Sequence, residues 1–199
     1  AEKKLTAYHE GGHALVGLYC AGASPIHKAT IIPRGQSLGM VMRLPENDNV
    51  SRSLEQMKAD IAIMLAGRLA EEIIFGREKV TSGAYSDIRQ ATRLAEHMVT
   101  EVGLSEKVGT IFHGKASEDM YSSASSGRVV SQKTAELIDD EVKRIIQEGY
   151  DFAKHILTTH LDQLHLLATT LIERETMSGQ EIKNLLSGKK IDSEDENHF

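Results

Sequence analysis

The chain has 199 residues, of which 40% are hydrophobic and 26% are charged, and its formal net charge is −6. This ordinary composition predicts one soluble globular domain large enough to bury a core, and the acidic balance argues against nucleic acid as the main partner. Cys20 is the only cysteine, which excludes an internal disulfide and a cysteine-rich zinc site. The sequence has neither an apolar run of 18 residues nor a signal peptide, so no membrane span is expected within it.

The first predicted element is a helix that carries a metal-binding pattern. Apolar or small residues recur at three-and-four spacing between Leu5 and Tyr19, and no proline interrupts them. His9 and His13 are four residues apart, so both imidazoles would lie on one helix face and could bind a single Zn²⁺ ion. Glu10 stands between them, where a carboxylate serves as general base in the H-E-x-x-H pattern. This pattern predicts a zinc hydrolase that cuts peptide bonds.

Two features of this first segment affect how it is interpreted. Gly11 and Gly12 each cost roughly 1 kcal/mol relative to alanine in a helix interior, so metal ligation or close packing must stabilise the turn. The chain also begins at Ala1 without an initiator methionine and enters the predicted helix at once. We therefore expect it to be a piece of a longer polypeptide.

The next segment predicts a β-hairpin. Residues 26–32 and 38–44 are short β-prone runs, and Pro33-Arg34-Gly35-Gln36-Ser37 between them suits a type I turn. Residues 45–49 then break the pattern. The second strand, residues 38–42, could hold an extended substrate by β-addition, and an ordinary half-buried strand is the alternative interpretation.

Helices dominate the remainder of the chain, which predicts a mainly α fold with a small β-hairpin or sheet. Ser53 and Gln56 form a capping box that opens a helix reaching about Phe75, and Gly76 stops it. Residues 81–86 form a predicted loop, and helical spacing resumes over 87–102. Residues 114–127 are rich in serine and glycine and are predicted to be mobile.

From Val129 the spacing predicts an antiparallel pair of helices, with a kink at Gly149 in the first, and a capping box at Ser178 and Glu181 opens a short last helix. We therefore expect a single domain over 1–188, with a catalytic part at 1–112 and a C-terminal helical part at 128–188. The acidic tail, 189–199, is predicted to be flexible.

A catalytic zinc site takes three protein ligands, and spacing alone leaves the third one open. The metzincin pattern would need glycine and histidine where Val16 and Tyr19 stand, so that class is excluded. Glu71 and Glu72 are candidates of the thermolysin type, in which the third ligand is a glutamate on a later helix. The simpler interpretation of Glu72 is an ion pair with Arg68 in the same helix, and that of Glu71 is a solvated position. Asp87 is the other candidate, and its simpler interpretation is a charge that stabilises a helix start.

Five separated blocks carry a resemblance to a known family. They are LTAYHEGGHA at 5–14, HKATIIPRG at 27–35, GRLAEE at 67–72, TSGA and SDI within 81–88, and GLSEKVG at 103–109. In this order they resemble the peptidase domain of the FtsH family, the membrane-anchored AAA zinc proteases, over residues 3 to about 188. The sequence departs from the family pattern at Gly11, where alanine is common, and at Tyr85 in the loop before Asp87.

The resemblance implies that His9, His13 and Asp87 bind one zinc ion per subunit and that Glu10 is the general base. It also implies a mostly helical domain with a small sheet and a hexameric ring. An attached AAA module would feed unfolded chains to it. No G-x-x-x-x-G-K-[ST] loop is present, so ATP would act only through a module absent from this chain.

The family is anchored in the bacterial inner membrane, facing the cytoplasm, or in the organellar equivalent, and this chain would be a soluble portion. Two alternatives to this function remain: a catalytically inactive helical hexamerisation module with a structural metal, and a stand-alone metallopeptidase that uses a glutamate ligand. Zinc content and peptide hydrolysis that depends on Glu10 would discriminate among them.

Overall fold

A computed structural model describes residues 2–33, 39–44, 51–114 and 130–188, which contain six α-helices, two short 3₁₀ helices (Arg77–Lys79 and Ser82–Ala84) and three short strands. The helices are α1 (Glu2–Tyr19), α2 (Leu54–Phe75), α3 (Tyr85–Thr100), α4 (Gln132–Thr159), α5 (Leu161–Arg174) and α6 (Gly179–Leu186). The strands are β1 (Ile26–Thr30), β2 (Met40–Arg43) and β3 (Thr176–Ser178). The prediction of a mainly α fold with a small sheet is confirmed.

The helix α1 lies at the centre of the core. Every residue from Thr6 to Gly17 is buried except His9. Helix α2 packs against one side of α1 and α5 against another. The two consecutive glycines differ in their surroundings. A Cβ atom on Gly12 would lie 2.6 Å from the carbonyl oxygen of Ala66, whereas a Cβ on Gly11 would meet nothing closer than Leu164 Cδ1 at 3.4 Å. Close packing on α2 therefore explains why position 12 is glycine. No steric contact of this kind requires glycine at position 11.

This difference predicts opposite effects for two matched substitutions. Gly11→Ala should raise the free energy of unfolding by up to about 1 kcal/mol, because alanine favours the helix and its methyl group fits. Gly12→Ala should lower it by roughly 1–3 kcal/mol, because the methyl group would push α1 away from α2. Urea unfolding of both variants, in chelator and in zinc, measures the effect. Equal changes in the two variants would contradict the packing argument.

The sheet is antiparallel, with strand order β2-β1-β3. The predicted hairpin is confirmed: β1 pairs with β2, and Thr30 lies opposite Met40. Its turn, residues 34–38, lies outside the described residues. The third strand was not predicted, because three residues are too few to show a period of two. Its pairing with β1 places Met177 opposite Ala29, far away in the sequence.

The predicted bounds of the middle helices are close to those observed. The capping box of Ser53 and Gln56 is present, and Gly76 ends α2 with a φ of 86°. The third helix begins at Tyr85, two residues before the predicted start, and ends at Thr100. No helix within the described ranges is long and apolar enough to cross a lipid bilayer.

The two predicted C-terminal helices are present as α4 and α5, with only His160 between them. They contact each other little, because α4 packs on α2 and α3 while α5 packs on α1. Helix α4 runs through Gly149, where a Cβ would lie 2.8 Å from Ile61 Cγ2, so this glycine lies at a close contact with α2. The capping box at Ser178 and Glu181 is confirmed. The predicted mobile segment, residues 114–127, lies outside the described residues except for its first residue, and so does the whole tail, 189–199.

A buried carboxylate links α4 to the loop that follows α3. Glu141 is 2% exposed and accepts hydrogen bonds from Ser105 Oγ at 2.6 Å and from Arg144 Nε at 2.9 Å. The Arg144 guanidinium, together with the Ser105 hydroxyl, outweighs burial and lowers the pKa of Glu141 to about 2. This charged contact connects the C-terminal helices to the rest of the core.

Candidate metal centre

Three of the predicted site residues meet at one point between α1 and α3. The Nε2 atoms of His9 and His13 are 3.0 Å apart. Asp87 Oδ2, in the first turn of α3, lies 3.3 Å from His9 Nε2 and 3.5 Å from His13 Nε2. These residues form a group whose possible ligand atoms lie within 4.8 Å of one another. Asp87 thus lies at a helix start, as expected for a charge that stabilises the helix dipole, and it also faces both imidazoles.

The other nitrogen of each imidazole is held by an acceptor. His9 Nδ1 donates to Glu71 Oε1 at 2.7 Å, and His13 Nδ1 donates to the carbonyl oxygen of Ile63 at 2.6 Å. A carbonyl and an ionised carboxylate only accept, so a neutral imidazole in either place carries its proton on Nδ1. Both Nε2 lone pairs therefore point at each other and at Asp87, which is the arrangement of metal-ligating histidines.

The donor set fits a zinc ion. Zinc–nitrogen and zinc–oxygen bonds are about 2.0–2.2 Å long, so neighbouring ligand atoms of a tetrahedral site lie about 3.3 Å apart. The three observed distances are 3.0, 3.3 and 3.5 Å. With both imidazoles neutral, no hydrogen atom lies between their two lone pairs and the Asp87 carboxylate, so these three groups repel one another. A cation at their centre removes that repulsion.

Space for the ion is left by a glycine of α2. A Cβ atom on Gly67 would lie 2.5 Å from His13 Nε2 and 2.6 Å from His9 Nε2, which is inside the ligand set. Sequence reasoning did not assign Gly67 a role. The available signal was a glycine in the middle of a strong helical pattern, where it costs about 1 kcal/mol and needs a packing or functional reason.

Comparison with known proteins decides the family. Residues 1–185 match the family model described as Peptidase family M41. The chain belongs to peptidase family M41. Proteins named "ATP-dependent zinc metalloprotease FtsH" are similar to this M41 chain: that of Rickettsia bellii is 68% identical over 100% of the chain, and that of Caulobacter vibrioides is 54% identical over 94%. An "ATP-dependent zinc metalloprotease YME1 homolog" of Caenorhabditis elegans is 48% identical over 94% of the chain.

These alignments cover 31%, 30% and 25% of the three relatives, so the M41 chain spans about a third of their length or less. Family membership confirms the resemblance to the FtsH family and the prediction of a peptidase, and the printed names describe the longer relatives as zinc metalloproteases.

The electrostatics of the M41 site favour positive charge at the cluster. Burial would lower the pKa of His9, but its contacts with Asp87 and Glu71, and the charge of Glu10, raise that pKa to about 9. Burial would raise the pKa of Asp87, yet the two imidazoles hold it well below its usual range. A proton or a metal cation between these atoms is therefore strongly stabilised.

The carboxylate of Glu10 lies beside the cluster and is 6% exposed. Burial raises its pKa, while His13 and His9 act in the opposite direction. A Cβ atom on Gly39, the residue before β2, would lie 2.7 Å from both Oε1 and Cγ of Glu10. The carboxylate is thus covered by backbone that has no side chain, and burial, by raising its pKa, makes it a stronger proton acceptor than an exposed glutamate.

Glu71 links one candidate ligand, His9, to the loop that precedes α3 and Asp87. Its side chain is 1% exposed, so the interpretation of Glu71 as a solvated residue is wrong. Besides His9 Nδ1, it accepts from the backbone N–H of Thr81 at 2.9 Å and from Thr81 Oγ1 at 3.2 Å. Thr81 begins the short turn that leads into α3 and Asp87. Glu72 is not part of the cluster.

Proposed function

We propose that this chain is the zinc-dependent endopeptidase domain of an ATP-dependent, membrane-anchored AAA protease that degrades unfolded or membrane proteins. The observation that supports this most strongly is the convergence of His9, His13 and Asp87 on one point, with the Glu10 carboxylate beside it. The name shared by the relatives, "ATP-dependent zinc metalloprotease", supports the same conclusion for the longer protein.

In this proposal the two Nε2 atoms and Asp87 Oδ2 hold one zinc ion per subunit. When bound, zinc supplies Lewis acidity that lowers the pKa of a water molecule toward neutrality and polarises the scissile carbonyl. Glu10 accepts the water proton on its carboxylate and delivers it to the leaving amine. Glu71 and the Ile63 carbonyl keep both imidazoles in the ligating tautomer. This chemistry requires no covalent acyl-enzyme.

The edge strand β2 is the proposed binding surface for substrate. Its inner edge pairs with β1, and within the described residues no strand pairs with its outer edge. The strand begins next to Gly39, directly over Glu10. An extended polypeptide added to that edge would be held by main-chain hydrogen bonds, which do not depend on its side chains. Such binding suits a protease that degrades many unfolded sequences.

The observed contacts favour this proposal over both alternatives. A stand-alone enzyme with a glutamate ligand would need the carboxylate of Glu71, but that carboxylate already accepts from His9 Nδ1 and from Thr81. An inactive hexamerisation module would have no need for a buried carboxylate beside the cluster, where Glu10 lies.

Replacement of Asp87 tests the third ligand. Asp87→Asn should weaken zinc binding by more than about 100-fold, because a neutral amide is a poor ligand, while a change outside the ligand set such as Glu71→Gln should cost about 10–100-fold. Competition against a fluorescent zinc chelator gives both affinities, and circular dichroism checks that helix content is kept. If Glu71→Gln removes the metal and Asp87→Asn does not, the ligand assignment is wrong.

The wider setting of the domain follows the same proposal. We infer that residues 1–188 form one domain and that the parent protein is a homohexamer. An AAA module outside this chain would bind ATP and feed unfolded polypeptides to the zinc site. The parent would be anchored in the bacterial inner membrane, on the cytoplasmic face, or in the organellar equivalent. The net charge of −6 argues against a nucleic-acid partner.

Assembly and substrate choice give a further prediction. The isolated chain should self-associate toward a sixfold ring, and it should cleave an unfolded polypeptide while leaving a stable folded domain intact. Without an ATPase only spontaneous opening exposes an extended segment, and open fractions are small at stabilities of roughly 5–15 kcal/mol. Sedimentation equilibrium, and digests of one domain and its unfolded mutant, measure the two effects. A strict monomer at high concentration would contradict the ring, and equal digestion rates would contradict the substrate limit.

A further inference from the structure

The guanidinium of Arg43, at the end of β2, is buried without a conventional partner, although the residue as a whole is half-buried. Its Nε, Nη1 and Nη2 atoms are inaccessible, and none has a hydrogen-bond partner among the described residues. Removing a charge from water is unfavourable unless other interactions compensate. The position of this guanidinium therefore needs a physical explanation, and the catalytic chemistry proposed above makes no use of it.

The guanidinium fills a notch in the last turn of α1. A Cβ atom on Gly17 would lie 1.3 Å from Arg43 Nη2 and 2.6 Å from Arg43 Cζ, so the arginine occupies the volume that any side chain at position 17 would need. The carboxyl end of a helix carries partial negative charge. The last turn of α1 has no basic residue of its own. Arg43 supplies the missing positive charge from a neighbouring strand.

The same strand meets α1 at a second point. Residues 39, 41 and 43 lie on one side of an extended chain. Gly39 covers the Glu10 carboxylate, Val41 packs against the core, and Arg43 occupies the notch at Gly17. Residues 39 and 43 of the strand are about 13 Å apart and residues 10 and 17 of the helix about 10.5 Å apart, a difference of about 2.5 Å that the long side chains of Glu10 and Arg43 can span.

Pairing with β1 alone holds β2 weakly. The strand has four residues, and the register with β1 is irregular between Ile26 and Lys28, next to the pairing of Ile26 with Arg43. An irregularity of this kind interrupts the ladder of hydrogen bonds locally. Beyond Arg43 the two segments are joined by a single further backbone hydrogen bond, from Leu44 N–H to the Pro25 carbonyl oxygen at 3.2 Å, so a contact outside this short ladder adds to what fixes the end of β2.

We infer that Arg43 is a positioning residue, which seats β2 on α1 at Gly17 and thereby sets the distance between Glu10 and the strand edge that takes the substrate. The inference rests on the proposed function of β2 as the substrate-binding strand. It makes Gly17 and Arg43 a coupled pair, since a side chain at position 17 expels the guanidinium and loss of the guanidinium frees the notch.

A double-mutant cycle tests this coupling. Arg43→Met and Gly17→Ala should each raise KM for an unfolded polypeptide roughly tenfold or more, because small displacements of a substrate site have effects of up to about 100-fold. The change in kcat should be smaller, and the zinc content should stay at the wild-type value because neither residue touches the ligands. The double variant should be no worse than either single variant. Coupling of this kind is expected for residues in contact.

A binding measurement separates this inference from the proposed function. The same cycle is repeated in a Glu10→Gln background, with the anisotropy of a labelled unfolded polypeptide giving Kd. If the zinc-loaded wild type binds the polypeptide but does not cleave it, the proposed function fails while the Kd cycle still tests Arg43. If the wild type cleaves and the single variants keep wild-type KM and Kd, the inference about Arg43 is wrong. It is also wrong if the changes in KM and Kd caused by the two single substitutions add in the double variant.

Discussion

Replacing Glu10 by glutamine should abolish proteolysis and leave zinc binding intact. The amide has the shape of the carboxylate and fits beneath Gly39, but it cannot accept the proton of the attacking water. General-base catalysis contributes typically about 10²–10⁴-fold, so cleavage of unfolded casein should fall at least to that extent. Zinc content, measured by mass spectrometry on the same samples, should equal that of the wild type.

The matched control is Glu96→Gln, which makes the same chemical change on the exposed side of α3. That variant should cleave casein at the wild-type rate and bind zinc normally. Robust cleavage by zinc-loaded Glu10→Gln protein would remove Glu10 from the mechanism. Loss of zinc from the same variant would instead mean that the carboxylate helps to hold the ion.

Zinc binding should be lost when Gly67 is replaced by alanine. The added carbon would lie 2.5 Å from His13 Nε2 and 2.6 Å from His9 Nε2, in the space that the proposed site assigns to the ion. The loss of affinity should exceed the roughly 10–100-fold typical of changes outside the ligand set. Helix α2 should persist, because alanine favours a helix over glycine by about 1 kcal/mol. Calorimetric titration with zinc and circular dichroism measure the two properties.

Gly11→Ala serves as the control, since it adds the same methyl group to the neighbouring helix at a position with room for it. This variant should keep wild-type zinc affinity. Normal zinc content and proteolysis in Gly67→Ala would show that the ion does not lie between the two Nε2 atoms, and the assignment of His9 and His13 as joint ligands would then be wrong.

Local patterns predicted much of this domain from the sequence. The capping boxes at Ser53 and Ser178 marked helix starts because the relevant contacts span three residues. The pairing of His9 with His13 was equally accessible, because one helical turn places residues four apart on the same face. Contacts of this range are fixed by the backbone geometry of a single element.

Contacts between elements were beyond the same reasoning. Spacing left Glu71, Glu72 and Asp87 open as the third ligand, and only the family resemblance selected Asp87, because its position depends on how α3 packs against α2 and α4. Gly67 is informative only when α2 is seen against the two imidazoles. The strand β3 is defined by a partner almost 150 residues earlier, and no local pattern encodes such a pairing.

The burial of α1 also has a mechanical consequence. If an ATP-driven motor pulls a substrate polypeptide across this site, the substrate transmits tension to the residues that bind it near the proposed zinc site. Two of the three candidate ligands and the proposed general base, Glu10, project from a helix that packs against α2 and α5 and is buried along most of its length. Close-packed interiors have low compressibility. In that case the force would fall on a buried, closely packed helix, and such packing would favour a constant geometry of the groups that the helix carries.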